Sequence, residues 1–106
     1  MTEKELFTIL KQTNLPVAYD HFEQTNTKTV EPPFILYRND DSFTQKAEDK
    51  TWWKCNNYIV ELCTNTKNVD LEDSLEDLFT ENEIPFDKEE LFIDEERMYE
   101  IRYYIC

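Results

Sequence analysis

The chain has 106 residues, no glycine and a formal net charge of −13, a length that predicts one domain spanning residues 1–106. The charge is polarised: residues 70–100 hold fourteen Asp and Glu against Lys88 and Arg97, a sum of −12 that leaves −1 for everything else. That balance excludes a nucleic-acid binder that works by neutralising phosphates and leaves three readings: a solvated face, a surface that repels DNA, or a mimic of DNA.

The first helix is expected over Thr2–Thr13. Thr2 and Glu5 form a capping box, and Leu6, Ile9 and Leu10 share one face with Phe7 beside them. Asn14 supplies the stop, and Pro16 follows. Leu15–Pro33 carries apolar residues broken by Pro16 and by the polar run EQTNTKT; it reads as irregular, as a short strand or an extended segment against a sheet. Phe34–Arg38 (FILYR) is a strand that begins directly after two prolines. Residues 39–50 (NDDSFTQKAEDK) form a polar loop around a lone Phe43, a length that compact domains seldom carry without a use.

The stretch on which the rest is organised is Thr51–Thr64, TWWKCNNYIVELCT. Tyr58, Val60 and Leu62 alternate with Ile59, Glu61 and Cys63, so both faces are apolar apart from one charge. It reads as the central strand of a small sheet, over about 52–64, with a buried helix as the competing reading. Its antiparallel partner is 34–38. Asp70 then caps a second helix over 70–82, with the stripe Leu71, Leu75, Leu78 and Phe79, acids on the outer face, and Asn82 in the left-handed cap before Pro85. A second hairpin follows: strand 86–93, a turn at 94–97, and strand 98–105. In that last strand Tyr99, Ile101, Tyr103 and Ile105 alternate with Met98, Glu100, Arg102 and Tyr104. The expected fold is α+β in the order α-β-β-α-β-β, a four-stranded, mostly antiparallel sheet with both helices on one face.

Chemistry is sparse. His21 is the only histidine, and Cys55, Cys63 and Cys106 form no CxxC pair, so they are expected as reduced thiols and no zinc or other metal is expected. Asp40-Asp41-Ser42 lacks the register of a calcium loop, and a chain without glycine holds no phosphate-cradling loop. No enzyme activity and no cofactor are expected. No run nears the roughly 20 apolar residues of a membrane span, and without a signal-peptide pattern the product is expected to be soluble and made in a cytoplasm. Trp52 and Trp53 are adjacent, so one strand face cannot bury both. Either helix and loop cover both faces within the chain, or one Trp, with Phe43, packs on another chain; with Tyr104 these are the candidate interface residues.

Four ordered segments, LPVAYDHFE, PPFILYR, YIVELCTNTKNVDLEDSLEDLF and IPFDKEELFIDEERMYEIRYY, resemble the tail-completion or tail-terminator proteins of long-tailed phages and prophages of Gram-positive bacteria. The resemblance covers about Leu6–Tyr104. SFTQKAEDK departs from it, standing where the family has a shorter turn. It implies a structural subunit of a hexameric ring that ends the tail tube and binds the head connector protein, placed at the head–tail junction of the virion after assembly in the bacterial cytoplasm. In such a ring the acid-rich stretch suits a lumen through which DNA passes without sticking, with Glu72, Glu76 and Glu83 as candidate DNA-repelling acids. The partners implied are further copies of the chain, the tail tube protein and the head connector protein. Two alternatives stand beside it: an acidic DNA-mimic inhibitor of a host nuclease or restriction system, and a capsid-proximal connector subunit with a twelve-fold ring.

Overall fold

The computed structural model describes residues 2–20, 31–40, 58–95 and 97–105. Helix α1 (Glu3–Lys11) starts where Thr2 accepts a hydrogen bond from the Glu5 N–H at 3.2 Å, and it buries Leu6, Ile9 and Leu10. It stops two residues short of the predicted end. There the Thr13 hydroxyl donates to the Leu10 carbonyl at 2.8 Å and accepts from the Leu15 N–H at 3.2 Å, a local alternative to the helical ladder. Asn14 takes φ 65° and turns the chain, as expected.

Strand β1 (Val17–Tyr19) replaces part of the segment read as irregular. It runs parallel to β2 (Phe34–Asn39), pairing Val17 with Ile35 and Tyr19 with Tyr37. The Ile35 N–H donates to the Pro16 carbonyl and the Asp20 N–H to the Tyr37 carbonyl, both at 2.8 Å. The sheet is therefore five-stranded and mixed, and the four-stranded expectation is corrected. Three residues are too few to show a period, and a parallel partner lies far off in sequence.

Strand β3 (Tyr58–Thr64) is the centre of the sheet, in the order β1-β2-β3-β5-β4, and all seven of its residues are buried. It pairs antiparallel with β2 from Asn39–Tyr58 to Phe34–Cys63. The expected start of this strand, with Trp52, Trp53 and Cys55, lies outside the described residues, as do Phe43, His21 and Cys106.

Helix α2 (Val69–Glu81) is capped by Asn68, whose side chain accepts from the Leu71 N–H at 3.1 Å, and not by Asp70, which sits in the first turn. Its end is a Schellman arrangement: the Ile84 N–H reaches the Phe79 carbonyl at 2.8 Å and the Glu83 N–H the Thr80 carbonyl at 3.1 Å. The left-handed residue is Glu83, at φ 57°, and not Asn82. Strands β4 (Phe86–Ile93) and β5 (Met98–Ile105) form the second hairpin, which Ile93 and Met98 close, with Arg97 at φ 50°.

Two cross-strand rows, Ile35–Leu62–Ile101 and Tyr37–Val60–Tyr103, set the inner face. Leu6, Leu10, Leu75 and Phe79 pack with them in one core, so both helices cover the same face. Leu71 and Leu78 complete the α2 stripe at its half-buried margin. Each fully buried Leu, Ile or Phe contributes about 1.5–3 kcal/mol over leaving it in water. Phe79, Phe86 and Tyr103 add a triad of ring contacts, with centroids 5.5–5.6 Å apart.

Candidate interaction surface

Glu72 and Glu76 lie one turn apart on α2, which places both carboxylates on one side of the helix. That side faces the sheet. Lys88, from β4, reaches up between them: its Nζ is 2.8 Å from Glu72 Oε1 and 2.9 Å from Glu76 Oε2. Lys67, in the segment between β3 and α2, lies 2.8 Å from Glu72 Oε2 and also pairs with Glu90 of β4. The fully buried Tyr103 donates its hydroxyl to Glu76 Oε2 at 2.8 Å.

Glu72 is only 2 % exposed. Burial by itself raises its pKa, but the hydrogen bonds and charges of Lys67 and Lys88 outweigh it and hold the carboxyl below the usual range. The same contacts push both lysines above their ordinary value, against a smaller loss from desolvation. Burial, then the bond to Glu76, drives the Tyr103 phenol well up. The arrangement binds α2 to the two strands at one side of the sheet.

This corrects the outward placement of two of the α2 acids, Glu72 and Glu76, while Asp70, Asp73, Asp77 and Glu81 are exposed as expected. Glu72 is an interior ion-pair acid and Glu76 is half-buried and engaged, whereas Glu83 is exposed. Of the three candidate lumen acids, only Glu83 is exposed and without an ion pair among the described residues. Lys67, Lys88 and Glu90 went unread in the sequence. The available signal was a lone lysine in an acidic strand, together with acids spaced four apart on the facing helix.

The second sheet face carries its own charge ladder. Arg38 pairs with Glu61, Glu61 stands in register with Arg102, and Arg102 Nη2 lies 2.7 Å from Glu100 Oε2 and Nη1 3.7 Å from Glu89 Oε1. Tyr104, the candidate interface residue here, is half-buried, and its hydroxyl donates to Glu89 Oε1 at 3.1 Å. Phe43, Trp52 and Trp53 belong to residues 40–57, which join Asn39 to Tyr58; the structure fixes where that connector leaves and re-enters the sheet, at the end where Tyr58 also pairs with Ile105.

On the inner face a groove opens between the end of α1 and the flank of α2. Ile35 and Leu62 form its floor, and Leu15, Leu71 and Leu78 its apolar walls. At the other side of α1, Phe7 and Tyr19 are partly exposed around Tyr37, with Tyr19 edge-on to Tyr37 at 5.2 Å. Tyr37 donates to Glu3 at 3.3 Å; burial, then that acid, raises its pKa to about 12. Among the described residues no three His, Cys, Asp or Glu side chains are grouped to hold a metal ion, and no helix is long and apolar enough to cross a membrane.

Comparison with protein-family models, with curated proteins and with solved structures returned no match.

Proposed function

We propose that the chain is a non-enzymatic structural subunit of a long-tailed phage, a tail-terminator or tail-completion protein that forms a six-membered ring, ends the tail tube and joins it to the head connector protein. The observation that carries this reading is the ordered run of resembling segments. LPVAYDHFE contains β1, PPFILYR all of β2 but its last residue, the third segment β3 and most of α2, and the last β4 and all of β5 but its last residue. The likeness thus follows all five strands and the second helix. That supports a shared fold more strongly than likeness in connectors would.

The long polar stretch 39–50 with its lone Phe43, beside the Trp52-Trp53 pair, suits a ring subunit that contacts a neighbour or the tube. DNA passes through the lumen without specific binding; exposed acids such as Glu83 serve there, while Glu72 and Glu76 serve the fold. A DNA mimic needs free carboxylates spaced along one continuous face. The engagement of Glu72, Glu76 and Glu90 by lysines weighs against that alternative.

Mass measurement of the chain bound to purified tail tubes tests the reading. Six copies per tube end are expected. Twelve copies on the capsid portal would favour the connector alternative, and a one-to-one complex with a basic host nuclease the mimic.

A further inference from the structure

Strand β4 ends the sheet. It is eight residues long, and among the described residues it pairs with β5 alone. Alternate N–H and C=O groups along Phe86–Ile93 therefore face away from the sheet, with no strand beside them among the described residues. The opposite edge, β1, has three residues, and shortness is one common way of making an edge harmless. β4 has no such protection by length.

Its charges disfavour a second copy in the longest register. A second copy laid antiparallel in the register that spans all of Phe86–Ile93 sets Glu89 opposite Glu90 twice, and like charges directly opposite destabilise a pair. The same charges select a different occupant. Asp87, Glu89 and Glu90 are exposed; Glu90 is shared with Lys67, and Glu89 with Arg102 at 3.7 Å and with the Tyr104 hydroxyl. The one basic residue of the strand, Lys88, is taken up by Glu72 and Glu76, so acids still outnumber bases along this edge. Beyond them the strand turns apolar: Leu91 and Ile93 are half-buried, and Phe92 is 50 % exposed against Tyr99. The edge is acidic along 87–90 and apolar along 91–93.

We propose that the free edge of β4 takes an extended segment of a partner protein by strand addition, with lysine or arginine beside residues 87–90 and apolar side chains beside residues 91–93. Main-chain hydrogen bonds supply the affinity, and the change from charge to apolar surface sets the register. The inference stands apart from the ring reading, because it uses only the edge and its side chains.

Two capped octapeptides test it. In one, lysine alternates with threonine over the first half and valine with threonine over the second; in the other, glutamate replaces lysine. Amide hydrogen exchange of the whole chain is followed by NMR. At about ten times its Kd the lysine peptide is expected to slow the outward β4 amides about tenfold. The effect should weaken as salt rises from about 0.05 M to about 0.5 M, and the glutamate peptide should leave β4 unprotected. Asp87→Lys combined with Glu89→Lys should reverse the preference, and Asp87→Lys alone should reduce it. Equal protection by both peptides, protection elsewhere than β4, or β4 protection that grows with protein concentration alone would each overturn the proposal, the last in favour of a second copy.

Discussion

Lys88 Nζ stands 2.8 Å from Glu72 Oε1, joining the outermost strand of the sheet to the least exposed carboxylate among the described residues. Across this contact α2 is locked over β4 and β5, and the acid-rich third of the chain becomes part of the fold as well as its surface. The lysines are partly exposed and can turn to water, whereas Glu72 cannot. Glu72→Gln is therefore expected to cost about 1–3 kcal/mol. Glu72→Lys, which sets a third ammonium among two in a buried site, should cost about 3–5 kcal/mol. Urea unfolding measures both; a change under about 0.5 kcal/mol for Glu72→Lys would return the residue to a solvated face.

Glu83 gives the opposite result. It occupies the left-handed position of the Schellman arrangement, at φ 57°, where a side chain costs about 1–2 kcal/mol. Glu83→Gly should stabilise the protein by about 0.5–1 kcal/mol, net of the freedom glycine adds to the unfolded chain. Glu83→Lys should stay within about 0.5 kcal/mol. Thermal unfolding of the two variants checks this pair.

Leu75 and Ile101 lie in one core, from α2 and the centre of β5. Truncating either to Ala should cost about 2–5 kcal/mol through lost burial and the cavity left behind. Denaturant midpoints for the two variants read the effect, and negligible losses at both would contradict the inner-face assignment.

Stability should fall at both ends of the pH scale, for different groups. Glu72 has a folded pKa below its ordinary one, so its contribution is complete above the ordinary carboxylate range and is lost as pH falls through the folded value. Glu72→Gln should flatten that acid limb. Tyr37, Tyr103 and Lys88 have raised folded values, so their contributions are complete below their ordinary values and are lost as pH rises toward the folded ones. Tyrosine absorbance should show Tyr37 ionising at about 12, and the step should vanish in Tyr37→Phe. A Tyr37 step near its ordinary 10 would contradict the burial of this phenol and its contact with Glu3.

Much of the architecture was legible because it is periodic. The clean alternation in Met98–Ile105 and the apolar runs in β2 and β3 are visible without neighbours, as is the leucine stripe of α2. What the residues concealed is non-local. β1 is a strand only because β2 lies beside it, and Val-Ala-Tyr has no pattern of its own. Glu72 sits in a helical sequence like any surface acid, and its burial follows from where Lys67 and Lys88 arrive from other elements. The left-handed positions at Glu83 and Arg97 escaped a rule that favours Asn and Asp, because with no glycine in the chain the turn geometry decides and the side chain bears the cost. Of the candidate interface, Tyr104 lies on the second sheet face as its alternation indicated, and Phe43, Trp52 and Trp53 lie outside the described residues.

The most direct test of the ring-subunit reading is electron microscopy of particles made by a phage whose copy of this gene is deleted. Filled heads without tails are expected beside free tails, many of them overlong, with normal particles restored when the gene is supplied in trans. Joined, infectious particles of normal tail length in the deletion would contradict the ring-subunit reading.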